Sequence, residues 1–167
     1  PEPILEQLDL ALEGHSDADC ILHALTDAIL GALGKGDIGE AFPNTDPRWK
    51  DADSATFITH AVREMRVAGY TIGNVDVVVL AEVPKLSPHR EAIRARLAEL
   101  LDTDPTRIGL KATTMEGLGA IGRREGVLAQ AVAVDGLEQA GHLAFGARAA
   151  DRVEHQPAHL LRPGNAP

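Results

Sequence analysis

Two histidines and three aspartates crowd the stretch GHSDADCILHALTDAIL, residues 14–30. Asp19, His23 and Asp27 stand four apart, so on a helix they form one polar row. That row is either a solvated face with an acid–histidine pair, or the place where a neutral His23 imidazole holds a metal while an acid orients its ring. His15 and Ser16 fall at the start of the same segment, where the unpaired N–H groups and positive dipole end of a helix attract anions such as phosphate. The plainer alternative has Ser16 as a cap and His15 exposed. Further on, Asp37 follows a glycine pair, and Asn44, Thr45 and Asp46 precede Pro47, a composition that turn chemistry also explains. Lys111, Thr113, Thr114 and Glu116 lie at a strand end before a glycine-rich connector and the basic pair Arg123 and Arg124. Such a connector is a ligand loop or a tight turn with surface charge. With Lys85 added, the collection holds a metal donor, an anion-friendly helix start, hydroxyls and a cation. That combination points to phosphate chemistry.

The elements that must position these groups are legible as patterns. Ser16 with Asp19 resembles a capping box, and Ile21, Leu22, Leu25, Ile29 and Leu33 recur at helical spacing until Gly34, which predicts a helix over 17–33. Ser54 is a candidate cap for a second helix with Phe57, Ile58, Ala61, Val62 and Met65 inward and Gly69 at its stop. VDVVVLAE reads as a covered strand, Ser87 and Pro88 open a third helix through Leu101, and RIGLKAT and GVLAQAVAV are two further strands. About three helices on one small sheet follow, in a single domain over residues 1–136. The segment 137–167 loses periodicity and reads as a mobile tail with one short helix near 142–151.

Composition narrows the function classes. At 167 residues, 25 acids against 16 Lys and Arg leave a formal charge of −9, with no basic stripe for nucleic acid. Cys20 is the only cysteine, so neither a disulfide framework nor a cysteine zinc cluster is available, and a reducing cytoplasm is the expected compartment. No apolar run has membrane-span length, so no membrane partner is expected.

Three blocks carry a more specific signal: GHSDADCILHALTDAILGALGKGDIGEAFPNTDP, GYTIGNVDVVVLAEVPKLSPH and IGLKATTMEGLGAIGRREG. In order and spacing, over residues 12–135, they resemble the 2-C-methyl-D-erythritol 2,4-cyclodiphosphate synthases of the non-mevalonate isoprenoid pathway. The resemblance implies an α+β fold, a small mixed sheet with helices on one face, assembled as a homotrimer with active sites between subunits. It implies cyclisation of 4-diphosphocytidyl-2-C-methyl-D-erythritol 2-phosphate with release of CMP, assisted by zinc (or a similar divalent ion) and magnesium or manganese. His23 would be a zinc ligand, and His15 and Ser16 would hold substrate phosphate, with His15 and Thr114 stabilising the transition state. Asp37, Ile38 and Gly39 would line the methylerythritol pocket, and Phe42, Pro43, Asn44, Thr45 and Asp46 would form the substrate loop. Ala81, Pro84, Lys85, Leu86 and Ser87 would meet the cytidine side. Thr113, Thr114 and Glu116 would contact the diphosphate, Glu116 would also bind magnesium, and Arg123 would face a central channel.

The chain departs from the family in one respect. The family takes its other two zinc donors from an Asp-x-His at the end of an N-terminal strand, whereas 14 residues precede His15 here and none is histidine. The expectation is therefore a zinc site short of two protein ligands, unless the tail supplies them. His159, with Pro157 and Ala158 where an acid is needed, is the faint candidate there, and Glu154 and His155 are substitutes. The rival to an active cyclase is a non-catalytic trimer that keeps nucleotide or isoprenoid-diphosphate binding without a complete zinc site.

Overall fold

A computed structural model describes residues 19–50 and 52–137. His15, Ser16 and the tail with its histidines lie outside the described residues. The first helix, α1, spans Cys20–Ala32, and its cap is Asp19, not Ser16. Asp19 Oδ1 accepts from Ile21 N at 3.0 Å and Leu22 N at 3.1 Å, as a short acidic side chain does at this position. Ile21, Leu22, Leu25, Ile29 and Leu30 are buried, and Thr26 returns its hydroxyl to Leu22 O at 2.8 Å, so a polar group sits in the core with its bond made.

A one-turn helix, α2, spans Ile38–Ala41, and α3 spans Ser54–Val67. The cap of α3 is Asp53, whose carboxylate takes Ala55 N at 2.8 Å. Ser54, the expected cap, is instead the first residue of the helix and fully buried. With the cap position already filled by an acid, its hydroxyl is available for a longer-range contact. Phe57, Ile58, Ala61, Val62 and Met65 face inward as the spacing predicts, and Gly69, at φ +83°, turns the chain into the sheet.

Strand β1, Tyr70–Leu80, is the centre of a three-stranded mixed sheet. It is parallel to β2, Ile108–Thr113, across the crossover helix α4, Arg90–Leu101, and antiparallel to β3, Leu128–Leu137. A short helix, α5, spans Gly119–Gly122 between β2 and β3. Pairing with β3 extends β1 five residues upstream of its apolar run, through a bulge between Ile72 and Asn74. β3 likewise reaches Leu137, one residue past the expected domain end.

Alternation divides the sheet into two faces. Ile72, Val75, Val77, Val79, Ile108 and Leu110 join the helices in one core, with Ala129, Ala131 and Ala133 packed against it. The opposite face leaves Val132 64% and Val134 57% exposed, with Leu128 at 39%. Register fixes what this layering does for function: Leu80 lies beside Thr113, so β1 and β2 end together and release their following segments at one edge.

Candidate active site

The first group of candidate residues gathers where α1, α2 and α3 meet. His23, one turn into α1, sets Nε2 at 2.8 Å from Ser54 Oγ at the start of α3. The polar row expected on α1 does not act as a solvated acid–histidine ladder. Asp19 is buried as the cap, and Asp27 Oδ1 accepts from Ile38 N at 2.8 Å, tying α2 to α1. Asp37 caps α2 by accepting from Glu40 N at 2.8 Å, which presents Ile38 and Gly39 toward His23.

Aromatic rings close this corner. The Phe42 ring lies 4.7 Å from Phe57, 5.0 Å from Trp49 and 5.0 Å from His60, centroid to centroid. His23 itself stands 5.8 Å from Phe57. The result is a pocket of about 280 Å³ lined by His23, Ile38, Gly39, Phe42 and Asn44 together with Trp49 and Phe57. Five residues expected at the site thus line one cavity. Pro43 and Thr45 are exposed in the turn beside it, closed by Asp46 N bonding to Pro43 O at 3.0 Å. Asp46 accepts from the Arg48 backbone at 3.0 Å and from its guanidinium at 2.6 to 3.1 Å. These bonds hold its carboxyl below the ordinary range. Arg48 in turn lies 5.2 Å from the Trp49 ring.

The second group sits at the shared end of β1 and β2. Ala81 N bonds to Thr113 O at 3.0 Å, continuing the pairing one step past the strands. Thr114 Oγ1 donates to Glu116 Oε1 at 3.0 Å, and Glu116 has φ +50°, a left-handed conformation that non-glycine residues rarely adopt. Thr113, Thr114 and Glu116 are exposed, as are Lys85 and Ser87. Ala81 and Pro84 are half-buried, while the Leu86 side chain is 3% exposed and belongs to the core, where it anchors the segment. Arg123, past α5, is in a two-point ion pair with Glu125 at 2.6 and 3.1 Å. Among the described residues no hydrogen bond joins this group to the pocket around His23.

A catalytic zinc site normally needs three protein ligands. Among the described residues no cluster of three His, Cys, Asp or Glu side chains could hold a metal. His23 has the right donor chemistry, and its Nε2 is in contact with Ser54 Oγ. The donor number is not met within 19–50 and 52–137.

The sequence pattern of the YgbB family matches residues 5–135. This chain belongs to that family. Its YgbB relatives include the 2-C-methyl-D-erythritol 2,4-cyclodiphosphate synthase of Synechococcus elongatus, 56% identical over 75% of this chain and 78% of the relative. The bifunctional enzyme IspD/IspF of Erythrobacter litoralis is 55% identical over 75% of this chain but only 32% of its own length, so the chain spans about a third of such bifunctional relatives. A solved CDP complex of IspF from Plasmodium falciparum superposes with a TM-score of 0.69 at 37% identity, covering 76% of each chain. The resemblance drawn from the three sequence blocks therefore holds at the level of family and fold.

Several residues of the candidate site were not among those the sequence pointed to. Trp49 and Phe57 had a readable signal: the chain has one Trp and three Phe, and Phe42, Trp49 and Phe57 fall within one short span. So sparse a set of rings, so close together, marks a shared pocket. Ser54 followed Asp53 as a second capping-type residue, one more than the cap needs. Glu82 carried no local signal. No described helix is long and apolar enough to cross a membrane.

Proposed function

We propose that this chain is a 2-C-methyl-D-erythritol 2,4-cyclodiphosphate synthase. It would take 4-diphosphocytidyl-2-C-methyl-D-erythritol 2-phosphate in the cytoplasm and close it on itself. An oxygen of the 2-phosphate forms a bond to the β-phosphorus, the bond from that phosphorus to the bridging oxygen breaks, and CMP departs with the bridging oxygen. The observation that carries this reading is the pocket beside His23, with Ile38, Gly39 and Phe42 as its walls. Its size and mixed lining of rings, aliphatic groups and a few polar side chains suit a branched polyol, and it stands in a chain that is 56% identical to a named synthase over 75% of its length.

Both reacting phosphates belong to one molecule, so catalysis needs positioning and charge neutralisation more than covalent help. Asp37, Ile38 and Gly39 line the methylerythritol pocket, Phe42 to Asp46 form the substrate loop, and Ala81, Pro84, Lys85, Leu86 and Ser87 meet the cytidine side. His15 and Ser16 receive phosphate. Thr113 and Thr114 donate hydroxyls to the diphosphate, and Arg123 lies toward the axis of the assembly. His23 would be one donor to a zinc ion, which would need further donors from outside the described residues, and Glu116 would be the carboxylate for magnesium. Divalent ions there supply positive charge to the phosphates that a chain of net charge −9 lacks.

The assembly is a homotrimer with sites between subunits. Its support is the open sheet face, where Leu128, Val132 and Val134 share one side of β3 without cover from this chain's described helices.

The test is to mix the purified chain with the diphosphocytidyl substrate and magnesium, and to measure CMP release, bound zinc and molecular mass. CMP and cyclic diphosphate in equal amounts, one zinc per chain, and a trimeric mass are expected. His23→Ala should abolish zinc binding and turnover together. A trimer that binds CDP, carries no zinc and releases no CMP would make the non-catalytic reading the right one.

A further inference from the structure

Parallel strands that end in register leave a problem at their tips. Past Leu80 and Thr113 the ladder of β1 and β2 has one more bond, Ala81 N to Thr113 O, and among the described residues the amides of Met115 and Gly117 have no backbone acceptor. A side chain takes over at that point. Glu82 Oε1 accepts from Met115 N at 3.0 Å and from Gly117 N at 3.2 Å, across 33 and 35 residues of sequence. The two amides flank Glu116, whose left-handed φ of +50° lets both N–H groups converge on one oxygen. Leu118 N closes the turn on Met115 O at 2.8 Å.

This geometry has a consequence for the two groups that the proposed reaction uses. With amides 115 and 117 held, the Glu116 side chain is turned back onto Thr114, whose hydroxyl reaches Glu116 Oε1 at 3.0 Å. We infer that Glu82 is a positioning residue: its carboxylate bridges Met115 and Gly117 and so sets the Thr114 hydroxyl and Glu116 carboxylate in their working arrangement. It touches neither the Thr114 hydroxyl nor the Glu116 carboxylate, and acts through the backbone between and beside them. Thr114, Met115, Glu116 and Gly117 are all exposed, so packing does not hold them. An ionised acceptor suits this place because it makes stronger bonds to two amides than a neutral one, and the amides offset its charge close to where the diphosphate is expected. The inference rests on the cyclase reading for what Thr114 and Glu116 do, but not for how they are held.

The experiment compares the wild-type chain with Glu82→Ala, Glu82→Gln, Thr114→Ala and the Glu82→Ala/Thr114→Ala pair. Hydrogen exchange at amides 115 and 117 reads the loop, CMP release reads turnover, and exchange in α1 and α3 reports on the rest of the fold. In Glu82→Ala, exchange at these two amides should quicken tenfold or more with α1 and α3 unchanged. The kcat should fall roughly tenfold to a hundredfold, with KM nearly constant, from the loss of two charge-assisted bonds. Glu82→Gln, which keeps a carbonyl oxygen in place, should recover most of both. The double variant should be slower than Thr114→Ala by clearly less than the Glu82→Ala factor alone, since part of the Glu82 effect runs through Thr114. Wild-type protection at 115 and 117 in Glu82→Ala would overturn the inference, as would a loss of protection spread evenly over the fold or a fully additive double variant. Should the wild-type chain release no CMP while Glu82→Ala alone frees the two amides, the cyclase reading fails and the positioning by Glu82 stands.

Discussion

Around His23 the walls are rings and aliphatic side chains: Phe57 is 4% exposed, Phe42 leans on three other rings, and α1, α2 and α3 converge from three directions. Around Thr114 there is hardly any packing at all, since residues 111–120 are exposed and the loop is shaped by bonds from one carboxylate. The two halves of the candidate site therefore resist perturbation differently. A pocket held by packing tolerates the loss of a hydrogen bond but not of a ring, because the ring leaves a void among many contacts. A loop held by a few hydrogen bonds is sensitive to a single acceptor, because little packing backs it up. Ligand chemistry follows the same division: the packed half suits the carbon skeleton of a substrate, and the bonded half suits its charged end.

Removing the central ring tests the packed half most severely. Phe57→Ala should cost about 3 to 5 kcal/mol in denaturant unfolding and enlarge the pocket beside His23, with KM raised more than kcat is lowered. A loss under 1 kcal/mol would mean that the rings merely coexist and that Phe57 does not organise the corner. A smaller effect belongs to the one hydrogen bond that ties α2 to α1. Asp27→Ala should cost about 1 kcal/mol and raise KM severalfold, while Asp27→Asn, which keeps an acceptor for Ile38 N, stays near wild type in both. If Asn behaves as Ala does, the tie is electrostatic and not the acceptor bond described.

A control away from both regions sharpens the contrast. Asp135 on β3 has a buried Oδ1 without a hydrogen-bond partner among the described residues, and burial raises its carboxyl above the ordinary value. A pKa raised by folding means that the fold favours the protonated acid. Stability from this group is fully present below the unfolded-state value and is lost as pH rises through the folded-state value. Asp135→Asn should therefore flatten the decline of the thermal midpoint with rising pH and lift it by a few degrees at neutral pH, leaving CMP release unchanged. A steeper pH dependence in the variant would show that the carboxylate stabilises the fold.

Much of the scaffold was legible because it depends on neighbours in sequence. Helical spacing of Ile21, Leu25 and Ile29, and of Phe57, Ala61 and Met65, finds buried faces without knowing what covers them. Where two residues compete for one local role the pattern misleads. Ser16 and Asp19 both suit a cap, as do Asp53 and Ser54, and in both places the acid next to the first helical residue takes it. The candidate site was legible in its residue types and only partly in its arrangement. His23, Ile38, Gly39, Phe42 and Asn44 line one cavity, whereas the contact between Ser54 and His23 spans 31 residues and has no local trace.

By itself, the order of residues determined which faces are apolar, where helices and strands run, and which family the chain joins, since each follows from short-range periodicity or from a motif read in line. Only the tertiary structure decided that Ser54 meets His23, that Asp27 anchors α2, and that Glu82 carries the loop beyond β2. Those are pairings of a donor with one acceptor among many of similar chemistry. The choice is made by where the register of β1 with β2 and the packing of α1 on α3 bring distant backbone together, and no local pattern of residues encodes that distance.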